Sequence, residues 1–213
     1  MKCEFCGQEY GLAHNCPGVA PAPMTPEETA PPPSGFAPLY YLGLAFNIVR
    51  WDDVSIRRAS RDFTAIFYGA FFWTVSALVI LLFAAVPQIL NNPQLSGPAL
   101  VIGLIMGLAI GLAVMAIITA VQIGLCYLTA KWFFGGTGTY MGIVRPLLLG
   151  WFVNVLVLIP VAGAAVAGIA WTAVLMLVFE EVDGIRRLQA FFISAGINVC
   201  FFLLQIMMMT RHH

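Results

Sequence analysis

Charged and apolar residues divide the chain into a polar N-terminal part and a long apolar remainder. Most charged residues lie within the first 62 positions, and the rest of the chain contains long runs without charge. A membrane-spanning helix needs about 20 mainly apolar residues. We predict five such spans, at about residues 63–86, 98–130, 141–159, 161–179 and 188–209. The predicted fold is an all-α integral membrane protein with a membrane domain over residues 63–210.

Prolines and short loops set the predicted span boundaries. Pro87 ends span one, and the uncharged run of span two is too short for two crossings, so it predicts one long helix. Pro146 suits the first turn of span three, which stops at Pro160 and forms a tight hairpin with span four. The charged stretch EEVDGIRR separates spans four and five.

Composition strengthens the membrane assignment and limits the chemistry. The chain is 61% hydrophobic and 9% charged, with a mean hydropathy of +0.91 and zero net charge, so nothing indicates nucleic-acid binding. The predicted spans contain no Asp, Glu, Lys or His. Proton-driven pumps and intramembrane hydrolases usually need ionisable groups at depth, so we expect a protein that is not an enzyme.

Basic residues predict the orientation, because cytoplasmic flanks of spans are enriched in Lys and Arg. In the five-span arrangement one side of the membrane carries eight of them: Arg50, Arg57, Arg58, Arg61, Lys131, Arg145, Arg186 and Arg187. The opposite side carries Arg211 alone. This asymmetry predicts a cytoplasmic N-terminus and a C-terminus on the other side.

Residues 39–62 predict a basic amphipathic helix that lies in the membrane interface. Leu44, Ile48 and Trp51 recur at helical spacing, and the interfacial basic residues follow toward the end of the segment: Arg50, Arg57, Arg58 and Arg61. The alternative is a plain solvated segment that leads into the first span.

The N-terminus carries a candidate metal site ahead of a proline-rich linker at residues 19–38. Cys3, Cys6, His14 and Cys16 fall within a head of residues 1–18. Cytosolic thiols stay reduced, and a closed set of thiolate and imidazole ligands suits structural zinc. Two alternatives stay open: a disordered tail with incidental cysteines, and a redox sensor built on Cys3 and Cys6.

Two sets of residues inside the predicted spans indicate helix packing. Gly103, Gly107 and Gly111 repeat every four residues and predict a groove for a neighbouring span or for a second copy of the chain. Four amide side chains lie at depth: Gln122, Asn154, Asn198 and Gln205. We expect them to form interhelical hydrogen bonds, with a solute pathway as the alternative.

The chain resembles the Yip domain family, whose members are named for interacting with Ypt/Rab GTPases, in its bacterial form with a short zinc-type head. The resemblance covers about residues 40–210. It rests on KWFFGGTGTYMGIVRPLLLGWFVNVLVLIPVAG and on IAWTAVLMLVFEEVDGIRRLQAFF. The chain lacks the Asp-Leu-x-Gly-Pro stretch of the eukaryotic members, so a Rab-binding role is not carried over. The resemblance implies a non-catalytic factor in membrane trafficking or shaping, located in a bacterial inner membrane.

Together these features predict a non-enzymatic, membrane-organising or recruiting protein with a zinc-stabilised cytosolic head. Its expected partners are the lipid bilayer and either another protein or a second copy, bound through the membrane helices. The rival hypothesis is a channel or permease for a neutral or lipid-like solute. Amide side chains lining one water-filled path would favour transport, and amides paired between packed helices would favour the scaffold.

Overall fold

Seven α-helices and one 3₁₀ helix make up the described chain. The computed structural model describes residue 33, residues 35–90 and residues 97–210. The α-helices are α1 (Pro38–Val49), α2 (Asp53–Arg61), α3 (Ala65–Leu90), α4 (Pro98–Phe134), α5 (Tyr140–Gly150), α6 (Gly163–Asp183) and α7 (Arg187–Thr210). The 3₁₀ helix (Trp151–Leu158) follows α5 directly. These described ranges contain no strand, so the predicted all-α class is confirmed for them.

Four stretches are long and apolar enough to cross a membrane: Ala65–Pro87, Leu100–Phe134, Tyr140–Leu158 and Gly163–Asp183. They correspond to predicted spans one to four. The region of the predicted fifth span forms α7, a helix of 24 residues. Its described apolar part, Arg187–Phe201, is shorter than a span requires. The described part of the chain therefore has four candidate membrane helices by length and composition.

Span three is built differently from the prediction. Pro146 lies inside α5 rather than in its first turn, and Thr139 caps the helix by accepting a hydrogen bond from the Gly142 N–H at 3.1 Å. The second half of the span is the 3₁₀ helix, which rises about 2.0 Å per residue against about 1.5 Å for an α-helix. The 19 residues thus cover about 32 Å, which matches a hydrocarbon core of about 30 Å.

The single interfacial helix predicted for residues 39–62 is wrong, because the segment forms α1 and α2 with a break between them. Trp51 has a φ of 70° in the break, and the Asp52 side chain starts α2 by accepting a hydrogen bond from the Ser55 N–H at 2.9 Å. Leu44 and Ile48 are buried, whereas Trp51 is exposed. The apolar residues therefore gather on α1, and Arg57, Arg58 and Arg61 all lie on α2.

The first candidate span, Ala65–Pro87, ends within one residue of the prediction, although helix α3 contains Pro87 and continues to Leu90. The predicted end of span four was wrong. Helix α6 continues through the acidic residues that were expected to form a loop, and it ends at Gly184, which adopts the left-handed conformation with a φ of 69°. Ion pairs to Glu180 and Glu181 stabilise that last turn.

The span formed by α5 and the 3₁₀ helix lies at the centre of the fold. It contacts α3 and α6 along its length, and α1 and α2 pack against its α5 half. The indole rings of Trp73 on α3 and Trp151 pack against each other at a tilt of 52°, with centroids 5.5 Å apart, and both residues are buried. The predicted hairpin to α6 is confirmed: the Gly163 N–H donates to the Ile159 carbonyl at 2.9 Å. Helix α4 lies at the periphery.

Candidate functional site

Charged residues from four chain segments meet at one end of the bundle, which we call the charged end: Arg57, Arg145, Glu180, Glu181, Asp183 and Arg187. Arg57 on α2 forms an ion pair with Glu181 on α6. Arg145 on α5 donates to the Ser60 carbonyl of α2 at 2.7 Å. These contacts fix α2 across the ends of two candidate membrane helices.

Helix α1 is joined to the same end by a buried tyrosine. The Tyr41 hydroxyl donates to Asp62 Oδ2 at 2.6 Å, and its ring stacks on that of Tyr68 with centroids 4.1 Å apart. Asp62 is also buried, and its Oδ1 accepts a hydrogen bond from the Thr64 N–H at 2.8 Å. Burial and the Asp62 carboxylate raise the pKa of Tyr41 above its ordinary value, so the hydroxyl remains a donor at neutral pH.

Helix α1 is apolar on two faces. Tyr41, Leu44, Ala45 and Ile48 are buried against the bundle, while Leu39 and Phe46 on the other side are 81% and 51% exposed. No residue of α1 is charged. A helix that is hydrophobic all round needs an apolar environment on its outer face as well. The outer face of α1 therefore suits the apolar part of a membrane interface.

The four predicted interfacial arginines differ in their exposure and contacts. Arg50 and Arg61 are exposed, and Arg57 is held by Glu181. Arg58 is half-buried, and its Nε atom has no hydrogen-bond partner among the described residues. The basic surface is thus provided by α2 and by the break that precedes it.

The glycine-rich loop between α4 and α5 encloses a buried carboxylate that the sequence did not identify. Asp183 is 1% exposed, and its Oδ1 accepts a hydrogen bond from the Gly138 N–H at 2.6 Å. The Thr137 N–H donates to the Asp183 carbonyl at 3.0 Å. A Cβ atom on Gly136 would lie 2.2 Å from Asp183 Oδ2, and one on Gly138 would lie 2.8 Å from Oδ1. These glycines are required because the carboxylate occupies the space of a side chain.

Two of the four amide side chains pair between helices, as predicted. Gln122 on α4 donates to the Asn198 carbonyl oxygen on α7. Trp171 on α6 donates to Gln122 Oε1 at 3.3 Å, and Asn198 donates to the Thr172 hydroxyl at 2.7 Å. This network connects three helices.

Neither of the other two amides forms the predicted interhelical bond in the described structure. Asn154 donates to the Trp151 carbonyl at 2.9 Å, within its own segment, so the expected interhelical bond is wrong for this residue. Gln205 lies in α7, and its side chain is outside the described part of the structure.

A cavity of about 380 Å³ lies beside the amide network, between the 3₁₀ helix and α3, α4, α6 and α7. Gln122, Asn154 and Asn198 all line it, together with Thr119 and aromatic and aliphatic side chains. Pairing between helices and a shared cavity are therefore both present. Two of the four amides pair between helices, three line the cavity, and the Gln205 side chain lies outside the described part of the structure, so the criterion does not separate scaffold from transporter.

The glycines of α4 lie in unequal surroundings. A Cβ atom on Gly111 would lie 3.0 Å from Leu81 Cδ2 of α3, so this glycine permits a close helix contact. Gly103 and Gly107 have no described atom within 4 Å of such a Cβ, and they border a second cavity, of about 350 Å³. Among the described residues, the predicted groove is thus filled by a neighbouring span only at Gly111.

The candidate zinc ligands Cys3, Cys6, His14 and Cys16 lie outside the described residues, as does most of the linker. Within residues 35–90 and 97–210, no group of three or more His, Cys, Asp or Glu side chains could hold a metal ion. The zinc site therefore stays a prediction.

Comparison with protein-family models, with curated proteins and with solved structures found no match for the chain. The assignment of function therefore depends on the geometry described above.

Proposed function

We propose that this protein is a non-enzymatic, membrane-organising or recruiting protein. One observation carries the proposal: α1 and α2 pack against the α5 half of the central span and are bonded to the charged end, and this pair of helices carries exposed apolar side chains on α1 and exposed Arg50 and Arg61 after it. Apolar side chains beside Arg are typical of a segment that inserts into the headgroup region of one leaflet. Two helices anchored in this way would occupy area in one leaflet and so bias its curvature.

The proposed topology has five spans, with α7 as the fifth and the N-terminus in the cytoplasm of a bacterial cell. It is supported by the meeting of Arg57, Lys131, Arg145 and Arg187 near the charged end, where Arg57, Arg145 and Arg187 bond to neighbouring segments and Lys131 lies within electrostatic range of Asp183. Two candidate spans separate each of these segments from the next, which brings them to the same side. A fifth crossing by α7 would then place the C-terminus on the opposite side. The resemblance to the Yip domain family agrees with a role in membrane shaping.

Membrane organisation can be tested with the purified chain reconstituted into liposomes. We expect smaller, more curved vesicles as the protein-to-lipid ratio rises, because α1 adds area to one leaflet. A variant with Leu39→Ser, Phe46→Ser and Trp51→Ser should abolish this effect, since these side chains are more than half exposed and none belongs to the buried core. Circular dichroism checks that the variant folds, because Phe46 also contacts the Phe152 ring.

A matched control removes exposed apolar side chains from a span instead of from the interface. Phe67, Phe71 and Phe83 on α3 are similarly exposed, so their triple substitution by serine removes lipid-facing apolar surface without touching α1. Vesicle size measured by electron cryomicroscopy should return to that of protein-free liposomes only in the α1 variant. Equal vesicle shaping by the α1 variant and the unmodified chain would disprove the proposal.

The recruiting part of the proposal needs a folded head with structural zinc held by Cys3, Cys6, His14 and Cys16. We expect about one zinc per chain by elemental mass spectrometry, as one closed four-ligand set requires, and its loss in the Cys3→Ser, Cys6→Ser variant. Zinc-free protein prepared under reducing conditions without chelator would remove this part of the proposal.

A second candidate function, a channel or permease for a neutral or lipid-like solute, is favoured by the cavity that Gln122, Asn154 and Asn198 share. A transported solute needs polar groups at depth to replace its hydration. Solute uptake into liposomes that contain the protein tests this candidate directly.

A further inference from the structure

The cavity beside the amide network contains polar groups that pair with none of the described residues. Thr119 is 7% exposed, and its hydroxyl bonds to none of the described residues. The Asn154 amide donates to the Trp151 carbonyl, whereas its oxygen accepts no hydrogen bond from the described part of the chain. Buried polar groups in native proteins are almost always paired. The unpaired hydroxyl of the buried Thr119, in one cavity with the oxygen of the half-buried Asn154, therefore indicates a missing partner.

Water alone explains this cavity poorly. A volume of about 380 Å³ corresponds to about a dozen waters at about 30 Å³ each, and each buried water needs two to four polar partners. The remaining lining is largely apolar or aromatic and includes Ile80, Met115, Trp171 and Phe201. The few polar groups cannot support a full set of waters. A ligand with a large apolar part and one small polar group fits the lining better.

The charge of the ligand follows from the residues that line the cavity. None of them is ionisable. A charged group at this depth would have no counter-ion among the lining residues and would lose its hydration, which is strongly unfavourable. The ligand is therefore neutral. A hydroxyl group suits both unpaired groups, because it can donate to the Asn154 oxygen and can either donate to or accept from the Thr119 hydroxyl.

We infer that this cavity is a binding site for a neutral, lipid-like alcohol, whose hydroxyl bonds to Asn154 and Thr119 and whose apolar chain lies against Trp171 and Phe201. This inference deepens the second candidate function, because a permease must bind its solute. It does not require transport, and occupancy is measured at equilibrium. Failure of transport and failure of binding are thus distinguishable.

The inference is tested with the full chain in phosphatidylcholine nanodiscs and a long-chain alcohol that carries a photoreactive diazirine. We expect saturable labelling that 1-dodecanol competes away, mapped by mass spectrometry to peptides that contain Met115, Trp171 or Phe201. Labelling that rises linearly with probe and falls only on lipid-facing side chains would overturn the inference, because the cavity would then hold water or acyl chains alone.

Thr119→Val is the decisive variant, because it removes the hydroxyl and keeps the shape of the side chain. We expect at least a fivefold loss of labelling in the cavity, with thermal stability unchanged or higher, since the lost hydroxyl had no partner in the protein. A purely structural threonine would give unchanged labelling, which contradicts the inference.

Thr74→Val is the matched control. The Thr74 hydroxyl donates to the Ala70 carbonyl of its own helix at 2.8 Å, and Thr74 does not line this cavity. Labelling should be unchanged in this variant. Asn154→Leu gives a second test at the other polar group, and its folding is checked by circular dichroism, because Asn154 also bonds to the 3₁₀ helix.

Discussion

The two ends of α4 use glycine in opposite ways. Gly136 and Gly138, just after the helix, face a carboxylate that leaves no room for a Cβ atom. Gly103 and Gly107, near the start of the helix and about 45 Å away at about 1.5 Å per residue, face open space. The charged end is closely packed and hydrogen-bonded, while the glycine end of α4 borders a cavity.

This difference shows that glycine spacing does not by itself specify a contact. The four-residue repeat is the pattern that membrane helices use for close packing, yet only Gly111 has a neighbour in the described structure. The loop glycines have no such pattern, and each is required by Asp183, which lies 45 or more positions away in the sequence. The partner determines the role of the glycine, and the partner comes from the tertiary fold.

Of the substitutions considered, Gly136→Ala should lower the free energy of unfolding most. The new methyl group would overlap the Asp183 carboxylate, and overpacking of this kind costs about 3 kcal/mol at the upper end of its usual range. Unfolding with SDS in mixed micelles, followed by circular dichroism, measures the loss. Adding Asp183→Ala to the same chain should recover part of it, since the clash is then removed.

Gly107→Ala is the control for that comparison. The added methyl group meets no described atom, and alanine is a better helix former than glycine. We expect no loss of stability, and a gain of up to about 1 kcal/mol. Similar losses for Gly107→Ala and Gly136→Ala would show that the two ends do not differ as described.

Tyr41→Phe should have the next largest effect, because it removes the hydroxyl that joins α1 to Asp62 and keeps the stacked ring. A hydrogen bond to a buried carboxylate contributes about 2 kcal/mol, part of which reflects the acceptor left unpaired. The same SDS titration measures the change. Tyr40→Phe is the control, because Tyr40 is only partly buried. If Tyr41→Phe lowered stability no more than Tyr40→Phe does, the hydrogen bond from Tyr41 to Asp62 would not be what holds α1.

A smaller effect is expected for Arg57→Met, which leaves Glu181 half-buried without its partner. The side chains of this pair are 28% and 16% exposed, so the ion pair is partly screened and its loss should cost about 1 kcal/mol. Arg187→Met breaks the corresponding pair with Glu180, where the Arg187 side chain is 63% exposed, and should change stability too little to measure. If Arg57→Met and Arg187→Met lowered stability equally, the packing of α2 at the charged end would be contradicted.

Asn198→Leu should have an effect close to that of Arg57→Met. It removes the interhelical bonds with Gln122 and with Thr172, and such bonds inside membranes contribute about 0.6 kcal/mol each on average. The chain should remain folded, with a slightly lower midpoint in the SDS titration. A complete loss of folding would show that the amide network, rather than the charged end, holds the helices together.

The sequence predicted those parts of the fold that depend on a single continuous run of residues. Uncharged runs located the four candidate membrane helices to within a few residues, and Pro160 marked the hairpin. Helix ends that depend on distant partners were missed. The Glu180–Asp183 turn is helical because Arg57 and Arg187 lie beside it, and Pro87 does not end α3 because a proline can be accommodated within a membrane helix.

The candidate site was predicted in part for the same reason. Gln122 and Asn198 were found because amide side chains at depth are rare and must be paired. The Asp183 carboxylate and the Thr119 hydroxyl were missed, since an acid near the end of a helix and a threonine inside one have common structural roles. Only the fold shows that one is enclosed by glycines and that the other faces a cavity.

The most direct test of this account is the depth of α1 in the bilayer. Spin labels are attached at positions 39 and 46, and at position 61 as a reference, in a chain whose native cysteines are replaced by alanine. Oxygen and nickel accessibilities in liposomes then give the depth. The account predicts labels 39 and 46 at about 5–10 Å below the headgroups, with label 61 in water. Equal exposure of all three labels to water would contradict it.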